Sequence, residues 1–218
     1  MLELLLAWSV EYQKFGWNAA TIVAAGMALF GLIEAWGTWE QHKTIERLGL
    51  GDSVPVLMFS FFIAYMGAFV FYGVYGRSIA IIVTAVPLVI VDICVLTALH
   101  RLKGFTRRER VLTYVFLSAI PAMALLSADG RKALFLLLNL AAVWAIALQP
   151  IELWRTKNVG AVNVNMAVTY FLGTIFWIGV GFSMGDEVLK VTCSINLVLL
   201  GLTIVLWYAY RGKRTSES

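Results

Sequence analysis

Charge is what this sequence has least of. Only 14% of its 218 residues are Asp, Glu, Lys or Arg, against about 25% in soluble domains, while 61% are hydrophobic and the mean hydropathy is +0.83. That balance excludes an ordinary soluble domain and leaves an integral membrane protein. Cysteine is nearly absent as well: Cys94 and Cys193 both sit in apolar runs and read as small packing residues, so they say nothing of a redox compartment. The two histidines, His42 and His100, fall at loop edges far apart in the chain, and no metal cluster is expected. No Gly-rich phosphate loop and no nucleophile–base arrangement is visible. Hence no enzyme activity, no catalytic residue and no cofactor is expected.

Other absences narrow the membrane class. Period-two alternation, the mark of a membrane barrel, is missing. The first residues carry Glu3 and Glu11 rather than a basic start, so they do not read as a secretory signal; Met1–Tyr12 reads as a short interfacial segment kept in the mature protein. A lysine in the middle of the last apolar stretch, which retinal proteins carry, is lacking; Lys190 lies at its edge.

What is present is a series of apolar stretches. A spanning helix needs about 20 mostly apolar residues, and helices are required because lipid offers the backbone no hydrogen bonds. Seven stretches qualify: Trp17–Thr38, Val54–Gly73, Ser78–Leu99, Val111–Leu126, Ala133–Gln149, Val162–Met184 and Val188–Tyr210. The fourth is the weakest, short and interrupted by Pro121.

Basic residues set the expected orientation. Twelve of the 17 fall on one side, at Lys43, Arg47, Arg101, Lys103, Arg107, Arg108, Arg110, Arg155, Lys157, Arg211, Lys213 and Arg214. The N-terminus is therefore expected outside and the C-terminus in the cytoplasm. The same reading explains the pI near 9.1 without a nucleic-acid partner.

The stretches form a pattern. Helices 1–3 and 5–7 each run helix, longer basic loop, helix, short loop, helix, and the single helix 4 returns the chain to the starting side. The expected fold is an all-α integral membrane protein: seven transmembrane helices in a 3+1+3 arrangement of two parallel triple-helix repeats joined by an inversion linker helix. Parallel repeats of this kind relate by an axis along the membrane normal. Residues 1–16 form the outer N-terminal segment, 17–100 the first repeat, 101–130 the linker helix with its basic loop, 131–210 the second repeat and 211–218 the tail.

Gln149-Pro150, followed by Lys157 and Gly160, and then Trp177-Ile178-Gly179-Val180-Gly181, Asp186 and Asn196, resemble the PQ-loop/MtN3 superfamily, which includes the SWEET and SemiSWEET sugar transporters. In that family the dipeptide is usually Pro-Gln. The first half carries a thinner echo in Phe69, Tyr72 and Gly73, with Glu34-Ala35-Trp36-Gly37 where a Pro-Gln pair would end helix 1. The resemblance implies a bidirectional carrier with a solute site midway across the membrane. It points to Asn196 and Trp177 as solute-binding residues, with no matching Asn in the Ala85-Val86-Pro87 region.

Side-chain spacing adds to this. Thr192, Asn196 and Thr203 share one helical face, as do Asn163, Tyr170, Thr174 and Trp177, by three- and four-residue periodicity. An amide beside a flat aromatic suits a sugar or other polyol; the same residues also serve as interhelical glue. Phe61, Tyr65, Phe69 and Tyr72 form an aromatic stripe, of which Tyr65 is the candidate for the solute path. Glu34 and Asp92 are acids within apolar helices, where an ionised group costs roughly 2.5–3.5 kcal/mol. Each is either a proton or polar-substrate site or a carboxylate reaching the cytoplasmic interface. Pro87 and Pro150, with Gln149 beside it, remove helix hydrogen bonds and are candidate hinges.

The function expected is transport of a small polar solute, first as a SWEET-like sugar facilitator working by alternating access. The alternatives are a proton-coupled carrier of an amino acid or other small metabolite, a non-transporting receptor on the same fold, and a nucleoside carrier of the vitamin-transporter type. The expected partners are the solute and the bilayer, with homo-oligomerisation open; the expected location is the inner or plasma membrane.

Overall fold

The computed structural model describes residues 9, 19–49, 51, 54–184 and 187–211. The expected outer segment, apart from Ser9, the tail beyond Arg211 and Asp186 lie outside the described residues. Eight helices are described: α1 Ala19–Leu48, α2 Val56–Gly76, α3 Ile79–Lys103, α4 Arg107–Leu117, α5 Ala119–Leu125, α6 Ala128–Thr156, α7 Val164–Met184 and α8 Glu187–Tyr210. Among the described residues, four stretches are long and apolar enough to cross a bilayer: Val56–Gly76, Ile79–Lys103, Ala128–Thr156 and Lys190–Tyr210. The chain is a multi-pass helical membrane protein.

Two elements outrun their apolar stretches. Helix α1 continues to Leu48 rather than ending at Thr38, because Gln41, Thr44 and Ile45 along its extension are buried. Helix α6 begins at Ala128, capped by Ser127, whose hydroxyl accepts from the Gly130 amide, and runs on to Thr156. Pro150 therefore lies inside this helix, not at its end. Hydropathy locates where a helix meets lipid; tertiary contacts decide where it stops.

The fourth span is two short helices. Pro121 has no N–H to offer the Leu117 carbonyl, and the helix breaks at Ser118 beside it. A capping box starts α4: Thr106 Oγ1 accepts from the Glu109 amide at 3.2 Å and Glu109 Oε2 accepts from the Thr106 amide at 2.8 Å. The broken rod lies on α2. Ser60 and Thr113 hydroxyls meet at 2.7 Å, and the missing side chain of Gly67 makes room for Ile120.

The remaining helices pack in two sets, α1 on α3 on α2 and α6 on α8 on α7, and the sets meet through α1 against α7 and α2 against α6. Thr84 Oγ1 reaches the Met27 carbonyl at 2.9 Å, fastening α3 to α1.

Details recur 108 residues apart. Gly49 and Lys157 both take left-handed conformations, φ 62° and 51°, and close α1 and α6 by donating to Ile45 and Leu153 at 3.0 and 2.9 Å. The Val54 amide then donates to the Gly51 carbonyl, and the Val162 amide to the Val159 carbonyl. Finally, the Val54 and Val162 carbonyls each accept from the end of the third helix in their set, from Lys103 Nζ at 2.7 Å and Trp207 Nε1 at 2.9 Å. The same turn is held twice by chemically different donors.

Candidate functional site

A central cavity lies between the two sets of helices. Helix α2 contributes Phe62, Tyr65, Met66 and Phe69, α7 contributes Tyr170, Thr174 and Trp177, and α8 contributes Thr192, Cys193 and Asn196. Glu34 comes from α1, Thr84 from α3, and Asn139, Ala142 and Ile146 from α6. All five residues singled out in the sequence as solute ligands (Tyr65, Thr174, Trp177, Thr192, Asn196) line this one space. Their helical spacing places them there: a period near 3.6 brings residues three, four and seven apart to the same face.

A second, smaller cavity adjoins it, with Phe62, Ile146 and Tyr170 common to both walls. Gln41, Gln149, Asn163 and Thr203 line it. Gln41 spans the two sets, donating to the Ala161 carbonyl at 2.6 Å and accepting from the Asn163 amide at 2.7 Å. Asn163 Nδ2 in turn reaches the Glu40 carbonyl and Thr44 Oγ1. A third hollow, where Glu40, Lys43 and Arg47 gather around Asn163, lies beyond it.

The wall residues pair at the same 108-residue spacing. Gln41 with Gln149, Met58 with Met166 and Phe62 with Tyr170 face the second cavity. Phe69 with Trp177 and Thr84 with Thr192 face the central one. The polar chemistry is unequal between members of a pair: Asn196 corresponds to Leu88, Asp92 to Leu200 and Glu34 to Ala142.

The acids divide. Glu34 lies in the middle of the lengthened α1, is 4% exposed and faces the central cavity, so it does not reach an interface. Asp92 is fully buried on α3, and neither carboxylate oxygen has a hydrogen-bond partner among the described residues. It lies within electrostatic reach of Glu34 and Tyr170. Asn196 is 9% exposed, and its Oδ1 is likewise buried without a described partner.

Among the aromatics, Tyr65 donates to Asn139 Oδ1 at 2.8 Å, and Phe69 packs edge-on to Trp177 at 6.5 Å between centroids. Phe61 turns away to Phe116 and Tyr72 stacks on Phe135 at 4.4 Å, so the cavity face of α2 runs through Phe62, Tyr65 and Phe69 rather than along the whole expected stripe. The candidate hinges do not line the central cavity: Pro87 is half-buried inside α3, Pro150 is buried inside α6, and Gln149 faces the second cavity. Among the described residues no group of His, Cys, Asp and Glu could hold a metal ion.

Sequence reasoning missed Asn139 and Gln41 as wall residues. The first is a lone amide in the apolar run from Ala133 to Leu148, the same signal that singled out Asn196. The second would have been found by pairing it with Gln149.

No family model and no curated protein sequence matches the chain. Among solved structures it is similar to a eukaryotic SWEET transporter, with a TM-score of 0.53 at 12% sequence identity, covering 88% of this chain and 99% of that one. The likeness is one of fold: this chain has a SWEET-like helical membrane fold.

Proposed function

We propose that this chain is an alternating-access carrier of small polar solutes, which it binds in the central cavity between two triple-helix repeats, 17–100 and 131–210, joined by the linker 101–130. The observation that carries the reading is the convergence of Tyr65, Thr174, Trp177, Thr192 and Asn196, from three helices, on one enclosed space. Membrane carriers commonly bind at the interface of two repeats, and the 108-residue pairing of wall residues supports such a pair here. The two repeats would rock about that interface, with Pro87 and Pro150 as bending points and the Phe62–Ile146–Tyr170 constriction as the barrier between the cavities. The distribution of basic residues supports a cytoplasmic C-terminus, and the inner or plasma membrane is the proposed location.

The sugar-facilitator form of this reading draws on the Trp177 ring and the Asn196 amide as polyol ligands. Glu34 and Asp92 favour a second form, proton-coupled transport of an amino acid or other small metabolite, because two neighbouring buried acids without a described basic partner are costly while ionised and a proton relieves that cost.

Uptake of labelled glucose and sucrose into proteoliposomes, with and without an inward proton gradient, tests the reading. Gradient-independent uptake lost in Asn196→Ala and kept in Asp92→Asn supports the facilitator. Uptake that needs the gradient and fails in Asp92→Asn supports coupling. Retention of every small polar solute tried, while the protein binds one of them, overturns the carrier and leaves a receptor.

A further inference from the structure

We infer that the central cavity selects a small organic cation bearing N–H donors, an amine or guanidine without a carboxylate, over a neutral polyol. This deepens the carrier reading, resting on it for the assignment of this cavity as the solute site.

The argument follows the protons. A hydroxyl has one donor. Thr174 gives its proton to the Tyr170 carbonyl at 2.7 Å, Thr84 to a carbonyl of Met27 or Ala80, and Tyr65 to Asn139 Oδ1. The Asn139 amide donates to the Phe135 carbonyl at 2.9 Å. The Thr174, Thr84 and Tyr65 hydroxyls therefore present lone pairs to a solute, while donors without a described acceptor stand on Tyr170, whose hydroxyl accepts from Thr38 at 3.3 Å, and on the Trp177 indole and the Asn196 amide. Asn196 Oδ1 adds a buried acceptor without a described partner, and Glu34 adds a carboxylate. Among the described lining residues none is Lys, Arg or His.

A neutral polyol could use those donors but brings no charge to meet the Glu34 carboxyl. An ammonium brings three donors and a guanidinium five, with no acceptor, and matches the wall. The rings of Phe62, Phe69, Tyr170 and Trp177 offer negative faces that attract such a cation. A bound cation brings the countercharge that lets the buried Glu34 carboxyl ionise. An amino acid's carboxylate would enter a space that holds an acid and, among the described lining residues, no base, which sets a plain amine above lysine or arginine.

The test is equilibrium binding of agmatine and phenethylamine, against lysine and glucose, to the full chain in detergent. Both amines are expected to bind at least about tenfold more tightly than lysine or glucose. Glu34→Gln should weaken amine binding about tenfold or more, the scale of a lost charge-assisted hydrogen bond. Should Glu34→Gln fail to fold, the wild-type comparison still decides. Glucose binding as tightly as the amines, no binding of either amine, or amine affinity unchanged in a folded Glu34→Gln overturns the inference. Proteoliposome uptake separates the two proposals: amine binding without uptake of any solute keeps this one and sinks the carrier, whereas sugar uptake without amine binding does the reverse.

Discussion

Gly173 of α7 faces the Glu34 carboxylate of α1 so closely that any side chain at Gly173 would occupy the space of Glu34 Oε1. The acid stands in the cavity wall because its neighbour has no Cβ. Gly173→Ala is expected to destabilise the protein by about 1–3 kcal/mol through overpacking, and Glu34→Ala in the same chain should restore most of it. Melting in detergent of both single variants and the double variant checks this. Additive losses would mean the two residues do not share that space.

Asp92 is carried at a loss to stability. Its oxygens are buried without described partners, and its counterpart in the other half is Leu200. Asp92→Leu should raise stability by about 1–3 kcal/mol, the scale of an unsatisfied buried polar group, while uptake falls. A variant that melts higher and transports normally would reduce Asp92 to an inert burial.

Tyr65 and Asn139 share one proton donor across α2 and α6. Tyr65→Phe leaves Asn139 Oδ1 without that donor and should cost about 1–3 kcal/mol. Adding Asn139→Leu should recover part of the loss, since both polar partners are then gone. The double-mutant cycle, read as melting temperatures, measures the coupling.

Helix α4 is fastened to α2 through the Thr113 and Ser60 hydroxyls. Ser60→Ala and Thr113→Val should each cost about 1 kcal/mol, and the double variant no more than the larger single loss. Solute binding should stay unchanged, because neither residue lines the central cavity.

Asn196→Ala separates ligand from glue. An interhelical polar contact in a membrane contributes about 0.6 kcal/mol on average, so stability should change by about that much while solute binding weakens several-fold. A lower melting temperature with unchanged binding would make Asn196 glue.

Much of the site was legible in the one-dimensional chain. Thr174 and Trp177 on one helix, and Thr192 and Asn196 on another, were already aligned by helical periodicity, and an amide or hydroxyl in an apolar helix stands out because lipid gives it no partner. The position of Glu34 was not legible. Hydropathy ends the first stretch at Thr38 and so puts Glu34 near a boundary, whereas buried Gln41, Thr44 and Ile45 carry α1 on to Leu48 and leave Glu34 in mid-helix.

By itself the sequence determined the membrane class, the alternation of apolar stretches and the polar faces, because these follow from transfer free energy and from the helix period, both local properties. Only the tertiary structure decided which faces meet, that Gly173 admits Glu34, that Asp92 is enclosed without a described partner, and that the protons of Tyr65, Thr84 and Thr174 beside the central cavity are already engaged. Those are relations between residues as far apart in the chain as Glu34 and Gly173, and no local property of either residue contains them.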